Sequence, residues 1–340
     1  MNIYGFAVIV SKPIFEIDNK GGSMLKYIIK KVGVLIFTVF LISVFTFFAF
    51  SVIPGDAALT KLGNDATPER VAELRSELGL DQNVFVRYVN WASKAVRGDF
   101  GHSLQFEGYS VSSLLLNRAS YTITIGFLSI VLLLIVAFPI GIFAAKYRDT
   151  PIDSGLLLLT HTFMAIPSFF MGILLTYVFG IVLKLFTPGK YVSPAEDFLG
   201  AVAYLIFPAM AVALPKVAMT VKYIRNAVSD EMDNDYVRTA RSKGCDEKDI
   251  LIHHVLKNAM ITVLTFIGLV IAEVLAGSVI VEQVFGVPGM GKFLVNAISK
   301  RDFPVVQAAV IYIALVVVVC NTLVDILYAV IDPRIKLSDI

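Results

Sequence analysis

The sequence predicts an all-α polytopic membrane protein with six transmembrane helices, on three observations. Of its 340 residues 57% are hydrophobic and only 16% are charged, whereas a soluble domain has roughly 45–50% apolar and 25% charged residues. The mean hydropathy is +0.77. Six apolar runs reach the roughly 20 helical residues that cross a hydrocarbon core: 32–53, 121–145, 156–186, 198–224, 259–281 and 304–331. Pro167 interrupts the third run, and the fourth contains Pro208 and Pro215, which neighbouring helices can accommodate.

The chain starts with a segment, residues 1–31, that is predicted to lie in the cytoplasm, and its first 23 residues fit poorly with the rest. The apolar run FAVIV is too short for a span, and no signal-peptide cleavage site follows it. Residues 20–24, KGGSM, can be encoded by a purine-rich ribosome-binding site followed by a start codon. One hypothesis is that Met24 is the biological first residue. The alternative is a disordered cytoplasmic tail.

Basic residues in the short segments beside the spans predict which side faces the cytoplasm. They precede the first span and follow the second and the last: Lys26, Lys30, Lys31, Lys146, Arg148, Arg334 and Lys336. Both termini, including the tail 332–340, and the segment between the fourth and fifth spans are therefore predicted to be cytoplasmic. The loop 54–119 after the first transmembrane helix, 32–53, is predicted to be extracytoplasmic. It also contains basic residues, but long loops cross the membrane largely regardless of charge.

The extracytoplasmic loop is predicted to contain two helices. Thr67-Pro68-Glu69 offers an N-cap residue, a proline at the first helical position and an acid in the first turn, and Gly79 marks the end of that helix. A second, amphipathic helix ends at Gly98 and carries its apolar residues at Val84, Val89, Trp91, Ala92 and Val96. This helix either lies on the membrane surface or packs on the spans.

The rest of the chain, 120–331, is predicted to be a helical membrane core interrupted by a charged cytoplasmic hairpin, 227–257. Residues 227–243 contain strong helix formers, and Gly244 follows where a helix would end in the left-handed conformation that glycine adopts most readily. Asp246 is predicted to cap a second helix, with Asp249 three residues later. In membrane proteins generally, such a hairpin is most simply a solvated connector.

The sequence of the hairpin nevertheless resembles a known family. Residues 236–244, YVRTARSKG, are similar to the coupling loop of binding-protein-dependent ABC importer permeases, in the form typical of the dipeptide/oligopeptide and nickel branch. The chain departs from that pattern at Cys245, where an aliphatic residue is usual, and at Asp249. Further segments resemble the first permease subunit of peptide importers and follow in the same order from about Met24 to Lys336: 52–56, 66–69, 78–81, 98–103, 281–291, 301–307 and 332–335.

The resemblance implies a type I ABC importer permease fold in a bacterial or archaeal cell membrane. It implies a second homologous permease subunit, two cytoplasmic ATPase subunits, an extracytoplasmic substrate-binding protein and the lipid bilayer as partners. The ATPases would bind ATP and Mg²⁺, so no cofactor or metal is expected in this chain. In the family the hairpin docks into a cleft on the ATPase and transmits its closure. The residues implied for this coupling are Tyr236, Arg238, Thr239, Ala240, Arg241, Lys243, Gly244 and Asp246.

Ionisable residues inside the predicted spans cost at least about 2.5–3.5 kcal/mol at a helix centre and should face protein or water. Polar residues of the spans are candidates for the translocation path, and the resemblance implies that the turn between spans five and six lies beside it: Glu273, Asn321, Asp325, Pro288, Gly289 and Gly291. Asn321 and Asp325 can instead serve hydrogen bonding between helices. Lys216 is close enough to the cytoplasmic end to extend its ammonium group into water, and His161 is most simply a helix contact.

Other classes of protein are disfavoured. A net charge of +2 gives no basic field that would indicate nucleic acid, and Cys245 and Cys320 form neither a CxxC pair nor a Cys/His cluster. Residues 286–292 match GxxxxGK, but Phe293 replaces the Ser or Thr that would coordinate Mg²⁺. The sequence contains no catalytic motif of an enzyme, and Glu273 and Asp325 do not occupy corresponding positions of two repeats, as the coupled carboxylates of an ion-driven secondary transporter would. The predicted function is therefore ATP-driven peptide import, with nickel or glutathione import as the alternative within the same branch.

Overall fold

The computed structural model describes residues 24–52, 57–62, 66–77, 79–106 and 108–331. Within these ranges the chain is helical, with turns and one isolated antiparallel bridge between His102 and Ser110 as the remaining structure. The predictions for residues 1–23, for the segment 53–56 and for the tail 332–340 lie outside the described residues.

The helices follow the predicted order. The first is α1 (Met24–Val52), and three short helices come after it: α2 (Ala57–Leu62), α3 (Pro68–Glu77) and α4 (Val84–Ala95). The core consists of α5 (Val111–Lys146), α6 (Pro151–Ala165), α7 (Ser168–Leu175) with a π-helical extension (Thr176–Val182), α8 (Phe198–Met232), α9 (Asp235–Ser242), α10 (Glu247–Asp249) with a π-helical turn (Ile250–Val255), α11 (Leu256–Phe285), α12 (Met290–Ser299) and α13 (Phe303–Ile331).

Five helices in the described ranges are long and apolar enough to cross a membrane, and they match five of the six predicted spans. Two bent pairs raise the number to at most seven: α6 with the segment from α7, bent by 100°, and the end of α11 with α12, bent by 79°. The all-helical polytopic class is thus confirmed. The first bent pair corresponds to the predicted third span, 156–186, and the predicted interruption is present: the chain breaks at Ile166, which has φ −87° and ψ 118° and precedes Pro167. A residue before proline is disfavoured in the helical conformation.

Small residues let the core helices approach closely, as is common between helices in a membrane. α5 meets α8 at Gly141, where an added Cβ would lie 2.7 Å from the Cβ of Ile224. Pro208 and Pro215 lie inside α8 without ending it, as predicted. α8 also packs on α11, and α1 packs on α13 at the edge of the core.

The bundle has a hairpin end and an opposite end. At the hairpin end, Lys31 of α1 forms an ion pair with Asp325 of α13 at 2.6 Å. At the opposite end, the segment before α5 meets the start of α13, because Ser103 donates its hydroxyl to Oδ2 of Asp302 at 2.5 Å. The helices α5, α8, α11 and α13 each run from one end to the other.

The helix predicted from the Thr67-Pro68 pair is α3. It starts at Pro68, and the backbone N–H of Arg70 donates to Oγ1 of Thr67 at 3.4 Å, as expected of an N-cap. Gly79, after the helix, has the left-handed φ of 64° that its predicted role requires. Both boundaries of this helix therefore follow from local sequence.

The second predicted loop helix is α4, and it packs on α1. The hydroxyls of Ser43 and Tyr88 lie 2.9 Å apart, and the rings of Phe47 and Trp91 lie 5.6 Å apart. Of the two alternatives for this helix, packing on the first span is the one that the structure shows. Gly98, with φ 82°, closes the segment as predicted.

Candidate functional site

The charged hairpin consists of a helix, a glycine turn and a second helix. The turn after α9 contains Gly244, whose φ of 80° is left-handed, so the predicted glycine turn is confirmed. The start of the hairpin differs from the prediction, because α8 continues to Met232 and the chain turns at Asp233 and Asn234 before α9 begins. The single helix expected over 227–243 is therefore two helices. Asn234, with ψ 151°, lies at the N-cap of the second, a position that asparagine favours.

One face of the hairpin packs against the bundle. Val237 of α9 and Ile250 of the following π-helical turn are fully buried. Tyr236 is half-buried and donates its hydroxyl to Oε1 of Glu231 at 2.7 Å, and burial raises the pKa of that hydroxyl. Of the predicted coupling residues, Tyr236 and the buried Ala240 contribute to this inner face.

The outer face of the hairpin is exposed and charged. The remaining predicted coupling residues are all exposed: Arg238, Thr239, Arg241, Lys243, Gly244 and Asp246. Arg241 binds both oxygens of Glu247, with Nε–Oε1 at 2.6 Å and Nη2–Oε2 at 3.2 Å, and this hydrogen bonding raises the pKa of the Arg241 guanidinium. Arg238 forms a longer pair with Asp235 at 3.4 Å. The side chain of Asp246 does not make the predicted capping hydrogen bond, and the pair of Arg241 and Glu247 joins the two helices instead.

The base of the hairpin is fixed by a buried ion pair that sequence patterns did not reveal. Asp153, in the first turn of α6, is 2% exposed and accepts from Arg225 of α8, with Nη2–Oδ2 at 2.5 Å and Nε–Oδ1 at 3.1 Å. The backbone N–H of Asp149 also donates to Oδ2 of Asp153 at 3.0 Å. The paired residues are 72 positions apart, so no local pattern in the sequence indicates that they meet. The sequence around Asp153 indicates only that a helix starts at Thr150-Pro151.

A second ion pair lies beside the first. Arg148, which follows α5, donates to Oδ2 of Asp233 at 2.7 Å and to the backbone oxygen of Ser229 at 3.3 Å. The hydrogen bond from Arg148 lowers the pKa of the Asp233 carboxyl. The two pairs together tie the end of α8, from which the hairpin projects, to the segment between α5 and α6.

At the opposite end of the bundle, a buried carboxylate holds the turn between α11 and α12. Glu282 is fully buried. Its Oε1 accepts the hydroxyl of Thr122 at 2.6 Å, and its Oε2 accepts the N–H of Gly291 at 2.6 Å. The Thr122 oxygen also accepts the N–H of Met290 at 2.9 Å. The first turn of α12 is therefore attached to both α11 and α5. No sequence pattern indicated a role for Glu282 itself, since its segment, 281–291, was noted only for its resemblance to permeases of peptide importers.

The three predicted path residues of this turn are packed against neighbouring backbone and side chains. A Cβ at Gly291 would overlap the backbone of Val279, and one at Gly289 would overlap the buried carboxylate beside it. The backbone oxygen of Pro288 accepts from Nη1 of Arg118 at 3.4 Å. The turn has the tight shape expected from its composition, and the close approach requires glycine at both positions.

Two segments noted for their resemblance meet next to this turn, although they are 199 residues apart. Asp302, 2% exposed, accepts the Ser103 hydroxyl at 2.5 Å and the N–H groups of Leu104 and Gln105 at 3.2 and 3.3 Å. This carboxylate therefore holds the loop 103–106 against the start of α13.

Three ionisable residues noted in the spans, Lys216, Glu273 and Asp325, form ion pairs. Lys216 of α8 forms an ion pair with Glu273 of α11, a partner that the sequence did not predict for either residue. Both side chains stay partly exposed, at 26% and 39%. Asp325 pairs with Lys31 between α13 and α1, in keeping with a role in joining helices, while Asn321 of the same helix is exposed.

His161 contacts a neighbouring helix, and the two cysteines form no disulfide. Nε2 of His161 in α6 lies 2.9 Å from Nζ of Lys222 in α8, which is the helix contact that was predicted. Cys245 and Cys320 are free. In the described ranges no three His, Cys, Asp or Glu side chains come close enough together to hold a metal ion.

Two family models match the chain. Residues 137–337 match the binding-protein-dependent transport system inner membrane component, and residues 24–110 match the N-terminal part of such membrane components. The first match contains the hairpin and the Glu282 turn. The second contains α1 to α4.

Similar proteins cover nearly the whole chain. A Brucella abortus (strain 2308) protein, named as a peptide transport system permease, is 36% identical over 313 residues, which are 92% of this chain and 99% of that protein. The oligopeptide transport system permease AppB of Bacillus subtilis (strain 168) is 34% identical over 315 residues, 92% and 100% of the two chains. A Sinorhizobium fredii (strain NBRC 101917 / NGR234) protein, named as a peptide ABC transporter permease, is 34% identical over 310 residues, 91% and 99%.

Proposed function

The chain belongs to the family of binding-protein-dependent transport system inner membrane components, and we propose that it is the transmembrane permease subunit of an ATP-driven peptide importer. It is a multi-pass membrane protein and a transport subunit rather than an enzyme. The relatives that match it from end to end are named as permeases of peptide or oligopeptide transport systems. Peptides are therefore the cargo that these relatives support best.

The two-faced hairpin is the observation that carries the proposal. Its inner face, with Val237 and Ile250 fully buried, fixes the hairpin to the bundle. Its outer face presents Arg238, Arg241 and Lys243 to solvent. Exposed ion pairs contribute little to stability, about 0–1 kcal/mol, so the charges of the outer face are better explained by contact with a partner. The proposed partner is a cytoplasmic ATPase subunit, one of two, which would bind ATP and Mg²⁺.

If the docked hairpin moves, the two ion pairs at the base of the hairpin would transmit this movement to the transmembrane helices. The pair of Asp153 and Arg225 joins α6 to α8, and the pair of Arg148 and Asp233 joins the end of α8 to the segment after α5. A partner that binds one arrangement of these helices more tightly than another would shift the population between inward-open and outward-open states.

The ion pair of Lys216 and Glu273 supports a path along α8 and α11. Lys216 lies 18 residues after Phe198, the start of α8 (216 − 198), or about 27 Å along the helix, so the pair is far from either end. Charged groups facing hydrocarbon are costly. The exposed side of the pair would therefore face a second permease subunit or water in the path between the two subunits.

The proposed orientation places the hairpin in the cytoplasm and the Glu282 turn outside. Basic residues at the hairpin end, such as Lys31, Lys146 and Arg148, support this orientation through the positive-inside rule. The Glu282 turn and the helices α2 to α4 would then face an extracytoplasmic binding protein that delivers the peptide.

The coupling role is tested by reversing charge on the outer face of the hairpin. A double variant, Arg238→Glu with Arg241→Glu, should insert normally but lose peptide uptake and the ATPase activity that a loaded binding protein stimulates. Lys190→Glu, a single charge reversal at an exposed lysine away from the hairpin, is the control and should transport normally. A photo-crosslinker at Lys243 should capture the ATPase, whereas one at Lys190 should not. Normal uptake by the double variant would contradict the proposal.

The cargo is tested separately. Uptake by the complete transporter with its own binding protein should be measured for dipeptides, longer peptides, glutathione and chelated nickel. Selective uptake of peptides supports the assignment, and uptake of nickel or glutathione alone would replace it with the other members of the same branch.

A further inference from the structure

A small cavity lies at the opposite end of the bundle, beside the Glu282 turn. Its volume is about 200 Å³, and its walls are the start of α5, the turn before α12, α12 itself and the loop 103–106. Three of the lining side chains are cationic, namely Arg118, Lys292 and Lys300. Asn296 and Gln105 add amide groups.

Each cation is held by a carbonyl or an aromatic ring and not by a carboxylate. Arg118 donates to a backbone oxygen of the turn, and Nζ of Lys292 donates to the backbone oxygen of Gly286 at 3.0 Å. Nζ of Lys300 lies 5.7 Å from the centre of the Phe106 ring. In the part of the chain that the structure describes, none of the three cations forms an ion pair.

Nearby carboxylates are engaged elsewhere. Asp302 is the one acid among the described residues that line the cavity, and both of its oxygens accept hydrogen bonds from the loop 103–106. Glu282 does not line the cavity, and its oxygens accept from Thr122 and Gly291. Three cations against one carboxylate leave an excess of two positive charges (3 − 1) on the wall.

We propose that this cavity binds the C-terminal carboxylate of a transported peptide, an inference that rests on the function proposed above. Guanidinium and ammonium groups bind carboxylates through charge-assisted hydrogen bonds, which are stronger than neutral ones. The amides of Asn296 and Gln105 can donate to the same group. The volume is below the roughly 300–1,000 Å³ of pockets that enclose a drug-sized ligand, so the cavity suits the end of a peptide and not the whole molecule.

The wall of the cavity is held in place before any ligand arrives. Glu282 and Thr122 attach the first turn of α12, the helix that carries Lys292, to α11 and α5. Asp302 holds the loop 103–106 on the other side. Binding groups that are already positioned lose less conformational entropy when a ligand binds. The two buried carboxylates therefore position the cations that would meet the peptide.

The direct test measures peptide binding to the purified complete transporter in nanodiscs, without the binding protein. One peptide, labelled at its N-terminus, is titrated as the free acid and as the C-terminal amide. We expect the wild type to bind the free acid about tenfold more tightly, because the amide lacks the charge that strengthens these hydrogen bonds. Lys300→Gln and Arg118→Gln should each reduce this preference, and the double variant should abolish it.

Two control variants keep the charge of the cavity. Lys300→Arg retains a cation at the same position and should retain the preference. Lys190→Gln removes an exposed lysine that does not line the cavity and should also retain it. Lys300 is exposed, so Lys300→Gln keeps the test decisive if Arg118→Gln fails to fold. The proposal is overturned if the wild type shows no preference, or if the double variant keeps the wild-type preference.

Two further measurements distinguish peptide binding at the cavity from docking of the binding protein there, and failure of the cavity site from failure of the proposed function. If the unliganded binding protein binds the variants more weakly while the peptide preference is unchanged, the cavity accepts an acidic side chain of that protein and the proposal is wrong. Uptake by the wild-type transporter tests the proposed function independently. Peptide uptake without a carboxylate preference refutes the cavity site alone, whereas no uptake of any peptide refutes the proposed function and the ligand of the cavity with it.

Discussion

The outer face of the hairpin and the turn around Glu282 use carboxylates in opposite ways. On the hairpin, Glu247 and Asp235 are exposed and pair with arginines six and three residues away. At the other end, Glu282 and Asp302 are buried and accept from donors 160 and 199 residues away. Exposed pairs are worth about 0–1 kcal/mol, whereas a buried donor without an acceptor costs about 1–3 kcal/mol. The hairpin is thus suited to contact with a partner, and the turn to holding its own shape.

The ion pair at the base of the hairpin is buried, like the carboxylates around the Glu282 turn and unlike the pairs of the outer face. One substitution in this pair should have the largest effect on stability. Arg225→Met leaves the Asp153 carboxylate buried without its cation. The expected loss in the free energy of unfolding is about 3–5 kcal/mol, as for other buried ion pairs from which one partner is removed. Unfolding of the purified subunit in detergent measures it.

A matched double variant separates the lost ion pair from lost packing. Asp153→Leu with Arg225→Met removes both charges and should recover most of the loss, because apolar replacements of buried ion pairs are often neutral or stabilising. Equal destabilisation by the single and the double variant, or a loss below about 1 kcal/mol in the single variant, would contradict the prediction. The ion pair at the base would then contribute no more to stability than the exposed pairs of the outer face.

A smaller effect is expected at the turn. Thr122→Val removes the hydroxyl that Glu282 and Met290 both use, and the expected loss is about 1–3 kcal/mol. Thr122→Ser keeps the hydroxyl and should stay near the wild type. Spin labels at the exposed positions Leu116 and Ile298 report the placement of α12 against α5. Their distance distribution should broaden in Thr122→Val alone, and identical distributions in all three proteins would show that the hydroxyl does not hold α12.

The smallest expected effect concerns acid stability at the edge of the hairpin. Arg148 lowers the pKa of Asp233 in the folded chain below its ordinary value of 3.8. A depressed carboxyl pKa stabilises the folded state above pH 3.8, and this contribution is lost as the pH falls below that value toward the folded-state pKa. Asp233→Asn should therefore lose less stability than the wild type on acidification.

The same pH series on Arg148→Gln provides the check. Arg148→Gln and the double variant with Asp233→Asn should lose as little stability on acidification as Asp233→Asn alone, because each removes the same interaction. If Arg148→Gln loses stability on acidification in parallel with the wild type, the pair does not account for the pH dependence.

Features with local causes were predicted well from the sequence. A run of about 20 apolar residues, a proline after an N-cap threonine at Thr67-Pro68 and a glycine at position 244 each act within a few turns of chain. The break at Asp233 and Asn234 was missed, since polar residues inside a helix-forming stretch give only a weak signal for a new N-cap. The interruption near Pro167 was predicted, but its angle of 100° was not, because prolines inside membrane helices can either interrupt or simply kink them.

The chain by itself determined that it crosses a membrane as several helices, and that it bears a charged hairpin closed by a glycine. Hydrophobic length and backbone propensity act along the chain, so they are present in the order of residues. Only the tertiary structure decided that Glu282 meets Thr122, that Asp153 meets Arg225 and that Lys216 meets Glu273, across 160, 72 and 57 residues. Such partners are brought together by the packing of whole helices, and no local pattern specifies which buried carboxylate finds which donor.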